Sequence, residues 1–287
     1  MVSKEQRRRQ LARAKFERQQ QRRANRARRG RRRQVLLVAL LVALLAGGGT
    51  AWAVLSGGDD EGSQQAADDE ATADPGEETS PPVEDPCEEP AEGEPSTQTW
   101  EEEPEMAVDT ASDYLMRLRT TCGDIGITMD AEVAPRTVNS FNFLAGEGFF
   151  DHSRCHRLVP EGIFVLQCGD PEGTGAGGPG YTIPDENLDD PDVAEGVYPA
   201  GTVAMANQYN PQDDSGRDSG GSQFFIVYDD SQLPPDYTPF GTVTEGLDVV
   251  QLIAETGATQ PDPTTGNTAP HATVVINEAT VEEVAAE

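Results

Sequence analysis

The chain of 287 residues has no lysine after Lys15, and beyond residue 33 it holds only six basic side chains, all arginine, against 49 acids. A body so acidic repels phosphate backbones, which argues against nucleic acid as its partner. Histidine is scarce too, with three in the whole chain. The four cysteines, Cys87, Cys122, Cys155 and Cys168, never fall two to four residues apart. A structural zinc site needs such spacing or more histidine, so no metal is expected. A Gly-x-Gly-x-x-Gly pattern occurs at residues 173–178, but Pro179 follows and no long helix opens there. A dinucleotide cradle needs that helix, so no cofactor is expected either.

What basic charge the chain has is concentrated at its start. Residues 1–33 carry 15 of the 21 Lys and Arg and only two acids, Glu5 and Glu17. RNA binding is one reading of the basic segment 1–34; a cytoplasmic flank that orients the next segment is the better one. From Val35 to Leu55 run 21 residues without a charge. As a helix they span roughly 32 Å, enough for a hydrocarbon core of about 30 Å. Arginines before the run place its first end in the cytoplasm, with the body outside. The expectation is a single-pass membrane anchor. A cleaved signal peptide competes, since Ala51-Trp52-Ala53 has a small-x-small form, but the apolar run and its basic flank are long for one.

Residues 56–106 hold 19 acids, many prolines and no Lys or Arg. Such a stretch buries too little apolar surface to fold, and a disordered spacer is expected. Cys87 is the one feature a plain spacer does not need; it could tie the linker to the domain. An extracytoplasmic setting permits disulfides, and four cysteines allow three pairings, among which spacing does not choose. The loop-bordering positions of Cys122 and Cys155 favour a bond that involves one of them, with Cys87 as partner.

The folded domain is expected at residues 107–287. Tyr114, Met116 and Leu118 alternate with polar neighbours, Gly123 sits in a turn, and Ile125, Ile127 and Met129 alternate again, which reads as a hairpin. Pro135 opens a helix whose apolar face is Val138, Phe141, Leu144 and Ala145. Short strands follow around Arg157, Val165, Val203, Phe225 and Val243. A second helix covers residues 246–255 and a closing strand residues 273–281. Many short strands with two helices, and no internal repeat, point to a mainly β closed barrel.

Two stretches stand apart chemically: Cys155-His156-Arg157 and Gly221-Ser222-Gln223-Phe224-Phe225. On a strand, residues two apart share a face, so Gln223 and Phe225 would line one surface. Taken with Gln167-Cys168-Gly169-Asp170, Met205-Ala206-Asn207 and Phe240-Gly241-Thr242-Val243, in this order, the chain resembles the cyclophilins, which are peptidyl-prolyl cis-trans isomerases. The resemblance spans residues 107–283, and the layout is similar to membrane-anchored actinobacterial members. It implies an eight-stranded antiparallel barrel capped by two helices. It implies Arg157 as the catalytic arginine, with Gln167 and Gln223 as site glutamines. Phe164 and Phe225 would wall the proline pocket, with Val165 in place of a usual methionine, Leu233 as a pocket leucine and Tyr237 in place of a usual histidine. Ala206 and Asn207 would hold the residue before proline, the asparagine acting through its backbone. The implied substrates are proline-containing peptides and unfolded exported proteins.

The residue types suit that chemistry. Amide resonance sets a barrier of about 18–20 kcal/mol to prolyl rotation. No bond breaks, so the protein need only favour the twisted amide, whose nitrogen regains a lone pair that an always-charged arginine can donate to. Singly, an arginine in a strand is more often a structural ion pair, and a phenylalanine more often core. A binding module that holds proline segments without catalysis is the alternative. His156 is read as structural, and all four cysteines as structural or inert. Cys155, two before Arg157, is expected on the arginine's face.

Overall fold

The structure, a computed structural model, describes residues 85–193 and 195–284. The basic segment, the apolar run and the linker up to residue 84 lie outside the described residues. Among those described, no helix is long and apolar enough to cross a membrane.

The chain is mainly β. Strands β1 (Asp113–Thr120) and β2 (Gly123–Asp130) form the expected hairpin. Tyr114, Met116, Leu118, Ile125, Ile127 and Met129 are all buried on one side of it, as the period-two alternation requires. Helix α1 (Pro135–Gly146) starts on its proline and ends at Glu147, followed by Gly148 at φ +67°. Its buried side chains include Val138, Phe141 and Leu144, and it packs on β11. Then come β3 (Ser153–Arg154), β4 (Arg157–Val159), β5 (Val165–Cys168), β6 (Val197–Tyr198), β7 (Thr202–Met205), β8 (Phe224–Val227), β9 (Ser231–Gln232), β10 (Pro239–Glu245), α2 (Leu247–Glu255) and β11 (Val275–Val284). Gly246 precedes α2 at φ +77°; a Cβ there would lie 2.2 Å from the Asp124 carbonyl oxygen, so only glycine fits.

Nine strands form one curled antiparallel sheet in the order β3-β11-β1-β2-β10-β7-β8-β5-β4, and β6 pairs with β9 in a small separate ribbon. The two edges, β3 and β4, are separated in the chain by Cys155 and His156 alone. The expectation of a closed eight-stranded barrel is met only in part: the sheet is curled and has nine strands, because residues 153–154 pair with β11 and residues 157–159 with β5. The concave face holds the main core. There Phe141 stacks near Phe150, Phe224 and Phe240, with ring centroids 4.7 to 5.6 Å away.

The linker expectation needs correction at its downstream end. Residues 85–106 are not a free spacer; they lie as a strap along the domain. Cys87 is bonded to Cys122 at the β1–β2 turn, and the Glu88 N–H donates to the Thr121 carbonyl at 2.8 Å. The Ala91 N–H donates to Asn277 Oδ1 at 3.0 Å. The Trp100 ring meets Phe143 edge-on at 5.1 Å, and Asn139 Nδ2 donates to the carbonyls of Pro104 and Glu105. The acid-rich composition hid two kinds of anchor, the Trp100 indole and the backbone groups that pair with the domain, while Cys87 was visible as a candidate tie. The domain thus starts well before residue 107. The second disulfide joins Cys155 to Cys168.

Candidate active site

The site lies on the convex face of the four strands β7-β8-β5-β4. Leu158, Leu166, Cys168, Val203, Met205, Phe224 and Ile226 point into the main core. Their neighbours in sequence must point the other way. Arg157 pairs with Gln167, Gln167 with Phe225 and Phe225 with Ala204, so these four residues form one row across four strands. Antiparallel partners on one face lie about 5 Å apart at Cβ, which brings cation, amide and ring together without any loop having to place them.

Over this row opens a cavity of about 130 Å³ lined by Arg157, Ile163, Val165, Gln167, Ala206, Asn207, Phe225, Leu233 and Tyr237. Phe225 and Tyr237 meet edge to face at 5.3 Å. A second groove, of about 330 Å³, shares Gln167, Ala206 and Asn207 with the cavity and continues along residues 175–182 to Gln223. The polar groups form a directed run. Arg157 Nη1 donates to Gln167 Oε1 at 3.2 Å, Gln167 Nε2 donates to Gln223 Oε1 at 2.9 Å, and Gln223 Nε2 donates to the Gly177 carbonyl at 2.9 Å. One of the five guanidinium N–H groups is thereby engaged, and others stay free for a ligand.

Residues 115–281 match the family model described as cyclophilin type peptidyl-prolyl cis-trans isomerase/CLD. The chain belongs to this family. It is 46% identical over 149 residues to a probable peptidyl-prolyl cis-trans isomerase B of Mycobacterium leprae, covering 49% of this chain and 48% of that one. It is 47% identical over 118 residues to peptidyl-prolyl cis-trans isomerase B of Bacillus subtilis, covering 41% of this chain and 73% of that protein. The chain spans about half the length of the mycobacterial relatives it matches. A solved cyclophilin type isomerase of Cryptosporidium parvum overlays with a TM-score of 0.47 at 24% identity, over 60% of this chain and 99% of that one.

Within this cyclophilin domain the shelf beside the pocket is braced from behind. The Ala206 N–H donates to the Gln223 carbonyl at 2.9 Å. Asn207 Nδ2 donates to the Asp236 carbonyl at 2.7 Å, and Asn207 Oδ1 accepts from the Tyr209 N–H at 3.2 Å. The asparagine side chain is thus occupied, which leaves its backbone for a ligand. Arg217, from the loop 208–220, lies 3.3 Å over the Tyr209 ring and 2.5 Å from Asp236, locking that loop to the shelf. Tyr198 lies beneath: its hydroxyl donates to the Tyr237 carbonyl at 2.9 Å and accepts from the Tyr237 N–H at 3.3 Å. Burial pushes the Tyr198 hydroxyl up to about 12, and burial raises Tyr237 as well, so both stay protonated at neutral pH.

The glycine loop 173–180 is organised by Asp170. Its carboxylate accepts from the N–H groups of Glu172, Thr174, Gly175 and Gly177. Burial disfavours its charge, but the N–H donors of Gly177, Glu172 and Gly175 outweigh this and hold it below the ordinary carboxylate value. The loop therefore presents the Gly177 carbonyl to Gln223, and it opens no helix.

Two sequence expectations fail for one reason, the phase of the strand. Phe164, expected as a pocket wall, is absent from the cavity; it packs against Tyr228 at 5.9 Å and on the main core. Val165 and Gln167 face the site, so Phe164 must face away, and Ile163 supplies the apolar wall instead. Cys155 does not share a face with Arg157. It is buried in the main core, because the chain breaks its alternation at residues 155–156 between β3 and β4. His156 is 4% exposed, and neither ring nitrogen has a hydrogen-bond partner. Ile163 and Tyr198 were missed. The alternation of Ile163 with Val165 could have flagged the first; nothing near Tyr198 in sequence marks the second.

Among the described residues, four of the six arginines pair with acids: Arg117 with Glu245 and Glu282, Arg119 with Glu278, Arg136 with Glu103, and Arg217 with Asp236 and Asp185. Arg157 has no carboxylate partner there. Its charge is held by an amide, a neutral acceptor, and so remains available.

Proposed function

We propose that the chain is a prolyl isomerase acting on proline-containing segments of exported proteins. The row Arg157–Gln167–Phe225 beneath a small apolar cavity carries the reading. In it, the proline ring enters between Phe225, Tyr237, Leu233, Val165 and Ile163. The residue before it lies along Ala206 and Asn207. As the amide twists, the proline nitrogen loses its conjugation and accepts a hydrogen bond from a free Arg157 N–H. Gln167 fixes the plane of the guanidinium, so that donor needs little reorganisation during rotation. Nothing is transferred, and no nucleophile, metal or cofactor has a part.

The compartment follows the charge pattern: residues 35–55 anchor the chain, residues 1–34 stay in the cytoplasm and the domain works outside. Two disulfides accord with such a setting. The curled sheet counts as an eight-stranded barrel when residues 153–159 are taken as one strand; the Cys155 N–H bond to Val274 and the Leu158 N–H bond to Thr268 support this closure. A protease-coupled assay of prolyl exchange tests the activity, and exchange no faster than in buffer sinks it. Protease added to intact cells tests the topology: a domain protected until lysis rules out the outside placement.

A further inference from the structure

The strap 85–106 meets the backbone of the loop that walls the groove at Thr99 and Trp100, and its residues 101–106 border Tyr181 and Thr182 of the same wall. The Trp100 indole is wedged against Phe143 at 5.1 Å and Phe149 at 5.9 Å. With the ring so held, the Trp100 N–H donates to the Pro179 carbonyl at 2.8 Å. The next residue, Gly180, sits at φ +93°, and a Cβ there would meet the Trp100 carbonyl oxygen at 2.6 Å. Strap and loop therefore touch backbone to backbone, and only glycine permits the contact. Pro179 and Gly180 are wall residues of the 330 Å³ groove. Two residues earlier, Gly177 accepts the bond from Gln223, whose own partner Gln167 holds Arg157. The strap is thus hydrogen-bonded to the loop at Pro179, and the loop, two residues earlier, to the run of side chains that ends at the arginine.

We infer that the strap is a positioning element of the substrate groove, and that Trp100 is its key residue. By pinning Pro179 and Gly180, it holds open the wall along which a peptide runs N-terminally from the shelf at Ala206 and Asn207. This rests on the assignment of proline to the Arg157 cavity. Trp100 touches no substrate; it acts through the loop. Peptides with several residues before proline gain affinity from the pinned wall, and peptides that end at the shelf do not. Cys87–Cys122 closes the strap at its upstream end and keeps Trp100 in reach of its seat.

The test uses the full chain and two peptides, N-acetyl-Ala-Pro-amide and the same sequence preceded by four further alanines. NMR titration gives both dissociation constants without requiring turnover. The wild type should bind the longer peptide about tenfold more tightly. Trp100→Ala should abolish most of that advantage while moving the shorter peptide less than twofold, and Trp100→Phe should restore it. In the exchange assay Trp100→Ala should raise KM for the longer peptide and leave kcat within twofold, which a general loosening of the fold would not do. If Trp100→Ala fails to fold, the paired change Cys87→Ser with Cys122→Ser reads the same ratio and should reduce it. Equal weakening of both peptides overturns the inference, as does an unchanged ratio or a wild type with no preference for length. Binding without turnover in the wild type would refute the isomerase reading and leave the strap result to stand or fall alone.

Discussion

Replacing Arg157 by alanine separates a catalytic arginine from a structural one. Structurally the side chain has little to lose. It is half-buried, pairs with no carboxylate among the described residues, and makes one hydrogen bond, to Gln167 at 3.2 Å. Loss of one such bond at a partly wet site costs about 1 kcal/mol. For a domain of this size that lowers the melting temperature by about 2–4 °C. Catalytically the loss is larger. A preorganised donor aimed at developing lone-pair density is worth about 3–4 kcal/mol, or roughly two to three decades in rate. Exchange measured at 10 °C, far below the melting transition, should therefore fall by at least about a hundredfold in Arg157→Ala. Arg157→Lys should recover only part of it, because an ammonium cannot hold the Gln167 bond and donate to the substrate in one plane. Near-normal turnover in a folded Arg157→Ala protein refutes the reasoning. So does a loss of turnover that tracks the fraction unfolded.

Three other outcomes are expected. Burial, partly offset by Asp170 and reinforced by Arg157, holds His156 below its ordinary value of 6.5; the unfolded chain then binds more protons in this range, so stability present above pH 6.5 is lost as pH falls toward the folded value. Urea midpoints at pH 7.5 and 5.5 should differ in the wild type and differ less in His156→Phe. Asp170→Asn places an amide donor against the N–H groups of Thr174, Gly175 or Gly177, and should cost about 3 kcal/mol with a concurrent fall in turnover as Gly177 shifts; an unchanged denaturation midpoint contradicts this. Opening Cys155–Cys168, whose partners are 13 residues apart, should cost about 3 kcal/mol. Turnover below the new melting temperature should change less than threefold, because the ladder between β4 and β5 still pairs Arg157 with Gln167. Abolished turnover with no thermal shift would mean that a thiol takes part in the reaction.

Legibility in the sequence followed the length of each regular element. The hairpin, both helices and the closing strand were readable because alternation over eight residues, or a helical face over twelve, leaves one phase open. Across β4 and β5 the phase has only three or four residues to declare itself. Adjacent apolar residues Ile163, Phe164 and Val165 then offer two faces equally well, and family likeness placed Phe164 on the wrong one. Arg157, Gln167 and Phe225 were legible as site residues, but their union in one row depends on register between strands far apart in the chain, which local pattern does not carry. The strap failed differently. Its order comes from partners at Thr121, Phe143, Pro179 and Asn277, none encoded within residues 85–106, and only Cys87 stood out against the acids. The cysteine pairing was open because spacing alone is silent on it.

The bond between Cys87 and Cys122 also decides how the domain bears load. Tension transmitted along the chain from upstream of Asp85 enters the fold at the β1–β2 turn, through sulfur, before it reaches the rest of the strap. Trp100 lies inside the covalent ring of residues 87–122 closed by that bond and is shielded from the pull. A backbone cut anywhere between the two cysteines would leave the two pieces joined, so a nicked domain keeps its tether. Reduction removes both protections at once: the pull would then peel the strap from its upstream end toward Trp100, and the first part of the site to register it would be the wall at Pro179 and Gly180.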